Sequence, residues 1–553
     1  MFNCQQQPGN TKSISSNPAA GSITSGTSHL KVPGKGVSVP PLPSTSPQST
    51  KLAVPDLPVG TTAVVVRMPT AARPSVVLDR EPTILPYNLH HRIGVIRDQY
   101  GKAYAVIDDG GNAYVLAVGS KKLNAIISGI ARHDGTTLSK RALGDLNELL
   151  AAHAEQYGVV REVWLRVAPV DGGIEIDMGD DAHTRINIAP GRVTIVAAGS
   201  NVLFYRTANS KAMVMPAQDG NLKLLTKYLN VNPTDALLLT AWISYTIAHA
   251  KLPTAKYPIL ALQGNQGSGK TSLCENIIIR IIDPSAIGVQ VFPSSAKDLA
   301  IAGQNAHVLC FDNLRSFKDD MADMLCIAAT GGTITTRQLY TDADQQAIRL
   351  HVPLVLNGIH AFVDQPDLAQ RCLTMHLKPI AESKRKSETE LAKELDADLP
   401  AIMRGIFDLI SGIFTHLPNV KVTDPARMID FVKWLAAMEM VDGAPAGTYQ
   451  SLYSETLQQG QLDALMDNPL SATIMMMVDD HKGDSWSGTP VDLLSKLNKL
   501  VDQSTQRSRE WPKNPIALSK RISALQAGLL SQGIKVELTR GKQRTVTISK
   551  MGV

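Results

Sequence analysis

Long apolar runs are missing from this sequence, and so is a cysteine framework. The most apolar stretches, such as Asn276 to Ile282 interrupted by Arg280, fall far short of the roughly 20 residues a membrane-spanning helix needs, so no span is expected. No apolar segment follows basic residues near the N-terminus, which argues against a secretion signal. The five cysteines, Cys4, Cys274, Cys310, Cys326 and Cys372, are odd in number, scattered and mostly set in apolar runs. That pattern excludes a disulfide framework and a zinc site and points to reduced core thiols in a cytoplasmic protein. A large charge of one sign is also absent, since the formal net charge is only +5 over 553 residues. No internal repeat is visible.

What is present is the composition of a globular chain, 44% hydrophobic and 19% charged, at a length that exceeds one hydrophobic core and implies three or four domains. The small net charge is unevenly placed. Residues 484–553 hold twelve Lys and Arg against five acids, an excess of +7 that leaves −2 for the rest. A basic terminal module on a near-neutral body points to a polyanion partner, DNA above all, against the plainer reading of a solvated basic face.

Residues 1–82 are rich in Ser, Thr, Pro, Gly and Gln and read as a disordered tail, with one short alternating run, Thr62 to Arg67. Residues 83–215 carry strand-like segments around one helical stretch, Leu138 to Tyr157, and read as an α+β accessory domain. A helical collar over 216–256 comes next, with Asn232 as N-cap and Pro233 at the first helical position. Residues 257–380 alternate apolar strands with helices, as in a parallel sheet covered on both faces. Residues 381–480 read as a helical lid region. Residues 481–553 show helices before two strands, a basic winged-helix-like pattern. The expected fold class is thus multidomain α/β.

The chemistry concentrates in the fourth of these regions. YPILALQGNQGSGKTSLCENIIIRII places Gly264, Gly269, Lys270 and Thr271 in P-loop spacing between an apolar strand and an amphipathic helix. Backbone N–H groups can wrap a triphosphate only where glycines permit unusual dihedrals and close approach. The turn Gly264, Asn265, Gln266, Gly267, Ser268 and Gly269 would therefore cradle the phosphates of ATP, continuing into Lys270, Thr271 and Ser272. Lys270 would reach the β and γ phosphates and Thr271 would hold Mg²⁺, with the positive helix end aimed at the anion. A second metal ligand is offered by AHVLCFDN, an apolar strand ending in Asp312. The next residue, Asn313, stands where many such ATPases place a carboxylate that orients water. An amide cannot act as a base, so Asn313 positions water by hydrogen bonding, or an acid from elsewhere serves, or hydrolysis is slow. A third strand, LHVPLVLNGI, ends in Asn357, which could sense the γ-phosphate or stand as a turn residue. Arg371, isolated among apolar neighbours in DLAQRCLTMHL, could serve a neighbouring subunit's nucleotide or make a local salt bridge.

The ordered set GNQGSGKT, LCFDN, TGGTITTRQLY, LVLNGI and LAQRCL resembles the AAA+ core of superfamily 3 helicases, and looks most like primase-helicases of phages and mobile elements. The resemblance covers about residues 160 to 550. It implies a homohexameric ring with ATP at subunit interfaces, single-stranded or forked DNA as partner, and a pore-facing hairpin within TGGTITTRQLYTDADQQAI. By that resemblance Arg337 or the loop from Tyr340 to Gln346 would approach the DNA backbone, although the tip carries Asp342 and Asp344 where such hairpins often present Lys or His. Residues 1–160 show no clustered carboxylates on strands and no zinc-ligand spacing, so a separate primase or initiator would supply any priming.

In the basic module Lys520 and Arg521 fall on a helix, and Arg540, Lys542 and Arg544 on a two-stranded wing. His90 and His91 read as surface residues, Met475 to Met477 as helix core, Glu382 to Lys386 as a solvated helix start, and Arg427 as either a lid sensor or a surface arginine. The sequence points to a DNA translocase or helicase. A regulatory or defence ATPase with nucleotide-switched assembly, and a DNA-binding initiator without unwinding, stand as alternatives.

Overall fold

A computed structural model describes residues 93–551, apart from 108–112, 197–199, 316, 318, 338–344, 360–361, 364, 481–484, 509 and 540–543. The tail 1–82, the run Thr62 to Arg67, Cys4, the His90–His91 pair and the hairpin tip lie outside the described residues.

The N-terminal region opens with β1 (Gly94–Arg97), β2 (Ala103–Ile107) and β3 (Tyr114–Ala117), then two helices, α1 (Lys121–His133) and α2 (Lys140–Tyr157), then β4 (Val159–Val160), in a sheet ordered β3-β2-β1-β4. The sequence pattern predicts only one helix here. In α1, Ile126, Ile127, Ile130 and Gly129 weaken intrinsic helix preference. The helix forms because Ser120 caps it and Leu123, Ile127 and Ala131, at four-residue spacing, are all buried. Next, β5 (Val163–Trp164) leads into an antiparallel meander of β6 (Val167–Val170), β7 (Gly173–Asp177), β8 (Arg185–Ala189) and β9 (Arg192–Ile195), and β10 (Leu203–Phe204) returns to pair in parallel with β5.

A buried pin joins the meander to residues beyond it in the chain. Arg166, with φ of 63°, sends Nε to Asp283 Oδ1 at 2.9 Å, Nη1 to the Asp177 carbonyl at 3.0 Å and Nη2 to the Lys211 carbonyl at 2.9 Å. The other Asp283 oxygen accepts the His307 amide at 2.6 Å.

Helix α3 (Pro233–Ala248) starts where the Asn232 side chain accepts the Asp235 amide. It is apolar nearly all round and correspondingly buried. The central region then runs through β11 (Ile259–Gly264), α4 (Lys270–Ser272), a π-helical stretch Leu273–Ile279, α5 (Arg280–Ile282), β12 (Gln290–Val291), α6 (Ala296–Gln304), β13 (Leu309–Leu314) and α7 (Asp319–Thr330). It continues with the hairpin β14 (Gly332–Arg337) and β15 (Gln345–Leu350), then β16 (Leu354–Gly358), α8 (Pro366–Ala369) and β17 (Cys372–Leu377). The sheet is parallel throughout, in the order β12-β13-β16-β11-β17.

Successive residues of its strands feed two separate cores. Leu260 and Leu262 of β11, Cys310 of β13 and Val355 of β16 join one core, while Ile259, Ala261, Leu309, Phe311, Leu354 and Leu356 join the other. Burial on both faces explains why these strands read as continuous apolar runs. Cys274, Cys310, Cys326 and Cys372 are all free and buried.

One strand reading needs correction. LHVPLVLNGI is not one strand: Leu350 closes β15, and Pro353, which has no N–H to donate, separates it from β16. At the sheet edge β12 has only two residues, and Val291 is 89% exposed.

Beyond the sheet, α9 (Glu388–His416) begins at a reciprocal Ser387–Glu390 capping box, α10 (Ile429–Asp442) packs against it, and α11 (Thr448–Asp467) packs against α10. The segment Glu382–Lys384 is a short turn of 3₁₀ helix in which Glu382 and Ser383 are exposed. The last region comprises α12 (Pro469–Asp479), β18 (Ser485–Gly488), α13 (Pro490–Leu500), α14 (Gln503–Arg507), α15 (Pro515–Ser531), β19 (Ile534–Thr539) and β20 (Thr545–Lys550). Its sheet has three strands, β18-β20-β19, where the sequence pattern predicts two. The polar, glycine-ended SWSG of β18 carries little strand signal. The methionine run in α12 is core only in part: Met477 is buried, whereas Met476 is 55% exposed.

Candidate nucleotide site

β11, β16 and β13 lie side by side, and the site is built at their carboxyl ends, where parallel α/β sheets form ligand crevices. After β11 the chain must turn tightly. A Cβ on Gly264 would lie 2.5 Å from the Leu377 carbonyl oxygen, so only glycine fits beside β17. Gly269, at φ of 81°, turns the backbone into the helical run that starts with Lys270.

Lys270 is 8% exposed, and its ammonium donates to the Gly264 carbonyl at 2.7 Å, the Asn265 carbonyl at 3.1 Å and Ser268 Oγ at 3.3 Å. Burial lowers its pKa, while the Asp312 carboxylate acts to raise it. Thr271 Oγ1 donates to Asp312 Oδ2 at 2.7 Å, which brings the hydroxyl and carboxylate together across the gap between helix and strand. The other Asp312 oxygen accepts the Asn313 amide at 2.5 Å. Asn313 has φ of 59°, and the β13–β16 register shifts between Phe311 and Leu314. Asn is among the few side-chain-bearing residues that tolerate this left-handed conformation.

Asn357 sits on β16 level with Leu262 of β11 and is fully buried. Both its side-chain oxygen and nitrogen lack a hydrogen-bond partner. A buried amide left unsatisfied costs about 1–3 kcal/mol, so the position calls for a ligand or water to complete it.

These groups face one cavity of about 490 Å³, bounded by Gln266 to Ser272, Asp312, Asn313, Asn357, Gly358 and Ile359. Of the residues named from sequence, Gln266, Gly267, Ser268, Gly269, Lys270, Thr271, Ser272, Asp312, Asn313 and Asn357 all line it. Gly264 and Asn265 stand behind it, their carbonyls holding Lys270. The oxygens of Thr271 and Asp312 suit a hard cation that takes its remaining ligands from phosphates and water. Among the described residues there is no cluster of three or more metal-ligating side chains.

Sequence reasoning misses Asn230. Its Nδ2 donates to the Ser268 carbonyl at 2.8 Å and the Lys378 carbonyl at 2.5 Å, fastening the phosphate turn to the segment after β17. Nothing local marks it, because both partners are distant in sequence.

Arg371 is not isolated. It does not line the cavity, and its Nη1 meets Asp367 of its own chain, at 2.5 Å to Oδ2 and 2.7 Å to the carbonyl. Arg427 Nη1 reaches the same carboxylate at 2.7 Å and Gln370 at 2.9 Å. Burial pushes the Asp367 carboxyl up, but the hydrogen bonds and charges of the two arginines outweigh it and hold the pKa below its usual range. Two guanidiniums share one carboxylate, which leaves a net positive charge.

Among the remaining sequence-named residues, Arg337 ends β14 opposite Gln345 and its side chain lies outside the described set, as do Arg540 and Lys542. Lys520 is exposed and Arg521 half-buried on α15, and Arg544 is exposed just before β20.

A sequence model of the replication protein of actinomycete integrative conjugative elements matches residues 222–462, and the model of that protein's C-terminal domain matches residues 470–553. Two models of one protein, end to end, take in well over half of the chain. The chain belongs to this family of replication proteins. The first match spans Asn230, the phosphate turn, Asp312, Asn357 and Arg371, and the second spans the basic terminal region. In this mobile-element replication protein the N-terminal strands β1 to β10 fall outside both matches. No curated protein matches the sequence.

Among solved structures, the chain is similar to SCCmec type IV Cch, described as an active helicase, at 11% identity and a TM-score of 0.41, covering 83% of this chain and 93% of that one. It is also similar to the apo A form of the NrS-1 C-terminal region, at 11% identity and a TM-score of 0.37, with 85% and 99% covered. A third, the JCV helicase with a bound acetamide compound, stands at 12% identity and a TM-score of 0.19, with 42% and 67% covered. Among the described residues no helix is long and apolar enough to cross a membrane.

Proposed function

We propose that this replication protein is an ATP-driven DNA translocase or helicase that works as a homohexameric ring on single-stranded or forked DNA. The observation that carries the reading is the buried, unpartnered amide of Asn357, set in one cavity with Lys270, Thr271 and Asp312.

The backbone N–H groups of the phosphate turn would bind the triphosphate, and Lys270 would exchange its carbonyl partners for β and γ phosphate oxygens. Thr271 Oγ and the Asp312 carboxylate would hold Mg²⁺, which when bound neutralises charge developing on the phosphates. Asn357 would hydrogen-bond the γ-phosphate or the attacking water. Asn313 would orient water as an amide rather than deprotonate it. The final region, with α15 available to a groove and β19–β20 as a wing, reads as a winged helix. A separate primase or initiator would complete the replication machinery.

Displacement of a labelled strand from a forked duplex with ATP, and none with a non-hydrolysable analogue, tests the motor. ATP hydrolysis and DNA binding without displacement would favour the initiator reading, to which Asn313 lends itself.

Two substitutions probe the site. Asn357→Leu removes a buried polar group that has no partner, so melting temperature should hold or rise while ATP turnover falls by about tenfold or more. Full turnover in that variant would remove Asn357 from the site.

Arg371 is proposed to serve the nucleotide of the adjacent subunit, released from Asp367 by a subunit contact. Arg371→Ala and Lys270→Ala proteins should each be inactive alone and recover part of the activity when mixed. Mixed rings that stay inactive would assign Arg371 to its own chain.

A further inference from the structure

A second cavity, of about 620 Å³, lies away from the phosphate turn, between the β1–β2 turn, the β5–β10 pair and strand β15 of the hairpin. Its size falls within the range of about 300–1,000 Å³ usual for small-molecule sites. Three tyrosines and a tryptophan are among its lining residues. Tyr104 and Tyr205 meet edge to face at 5.4 Å, Trp164 stands half-buried beside them, and Tyr100 projects from the turn at 59% exposed.

Two cations share the space with no carboxylate ion-paired to either among the described residues. Lys102 Nζ sits 5.4 Å from the Tyr104 ring and 5.1 Å from the Tyr205 ring. The Arg349 guanidinium lies 5.6 Å from the Tyr100 ring centre and donates to the Tyr100 hydroxyl.

The other ionisable groups there are already committed. Asp98, the one acid lining the cavity among the described residues, accepts the amides of Tyr100 at 2.9 Å and Lys102 at 2.8 Å through Oδ1, which shapes the turn. His351 Nε2 lies 2.7 Å from the Ala255 carbonyl, which fixes that nitrogen as the donor and leaves Nδ1 to accept from Arg349 at 3.3 Å. Burial holds its pKa at about 4, so it adds no charge. Lys251 donates to the carbonyls of Gly303 and Ala306 at the end of α6.

Aromatic rings with cations beside them that no carboxylate ion-pairs among the described residues are what a nucleotide needs, since every base offers a π-face for stacking and every linkage a negative charge. We propose that this cavity binds one nucleotide of a single DNA strand, its base among Tyr100, Tyr104, Tyr205 and Trp164 and its phosphate on Lys102 and Arg349. Placement on β15 favours a strand over a free nucleotide. Arg349 is part of the hairpin, and a base held there ties the strand to the hairpin root and the N-terminal sheet together. The site rests on DNA being a partner but is independent of ATP hydrolysis.

The test uses the full chain without ATP and measures anisotropy of a fluorescein-labelled oligothymidylate. Tyr100→Ala combined with Lys102→Ala alters two exposed turn residues and should keep the melting temperature. It should weaken binding about tenfold, the contribution of one stacked base. Tyr100→Phe keeps the ring and should bind nearly as the wild type does. Unchanged affinity in the double variant overturns the site while leaving the motor reading intact. Failure of the wild type to bind the oligonucleotide overturns both. Effective competition by free dTMP at matched nucleotide concentration overturns the strand assignment in favour of a mononucleotide site. Because Lys270→Ala should bind the oligonucleotide normally, failure of the ATP site would not be mistaken for failure of this one.

Discussion

Replacing Lys270 by Ala is expected to lower ATP turnover by at least about a hundredfold, the usual cost of removing a preorganised electrostatic contact to a reacting group. The three hydrogen-bond donors of Lys270 now rest on two carbonyls and a hydroxyl of the phosphate turn. That arrangement holds the charge where β and γ phosphates would lie. Its three hydrogen bonds all go to residues of the adjoining turn, Gly264, Asn265 and Ser268, and burial already disfavours the ammonium. The variant should therefore melt close to the wild-type temperature. Phosphate release measured beside a thermal melt checks both halves. Wild-type turnover in a well-folded variant would remove the nucleotide site from this cavity.

The second large effect is expected from the C-terminal basic face, and the structure changes how it is best probed. Deleting residues 484–553 would uncover Leu465, Leu470, Ile474 and Met477, which share one apolar core with α13, α15, β19 and β20. Weaker binding would then be confounded with misfolding. Replacing charges is cleaner. Lys535 already pairs with Glu537 at 2.6 Å and Lys550 with Asp479 at 3.2 Å, so these two are poor candidates. Lys520 and Arg544 are exposed, and Arg540 and Lys542 fall between β19 and β20 in the sequence. Changing all four to Gln should flatten the slope of log affinity against log salt on duplex DNA by up to about 3.6, at roughly 0.9 for each phosphate no longer neutralised. ATP hydrolysis without DNA should persist. An unchanged slope in the quadruple variant would make the basic tail a solvated face.

The parts of this molecule that are legible in the sequence are those where local chemistry leaves little choice. Close approach to the Leu377 carbonyl admits glycine alone at Gly264, and the left-handed turn at Gly269 favours it. Lys270 and Thr271 come directly after, where the helical run begins. Asp312 and Asn357 can be read because each ends an apolar run buried on both faces of the sheet.

What escapes is long-range or locally ambiguous. Asn230 acts through carbonyls of Ser268 and Lys378, which no periodicity announces. The partner of Arg371, Asp367, stands only four residues before it, but a single turn of helix α8 brings them together, and that turn carries no apolar repeat. Pro353 is hidden inside an apolar run long enough to pass for one strand. Asn313 looks in sequence like a missing carboxylate, whereas its backbone adds a reason for the amide: a longer acidic side chain there would have to adopt a left-handed conformation that it tolerates less well than Asn does.

The Arg166–Asp283 pin bears on how the chain loses its structure. Reading the sequence in blocks places one residue in an accessory domain and the other in the ATPase core, as though each could melt alone. Separating them would strand a guanidinium and a carboxylate that are both more than nine-tenths buried, at about 3–5 kcal/mol when only one partner is removed. The meander residues Ile174, Ile176, Ile186 and Ile188 also share a continuous apolar core with Trp242 of α3, Leu260 of β11 and Ile406 of α9. The cooperative unit of folding therefore crosses the boundary near residue 215. Heat should take the meander, α3 and the parallel sheet apart in one endotherm, and partial proteolysis should not release residues 93–215 as a folded fragment.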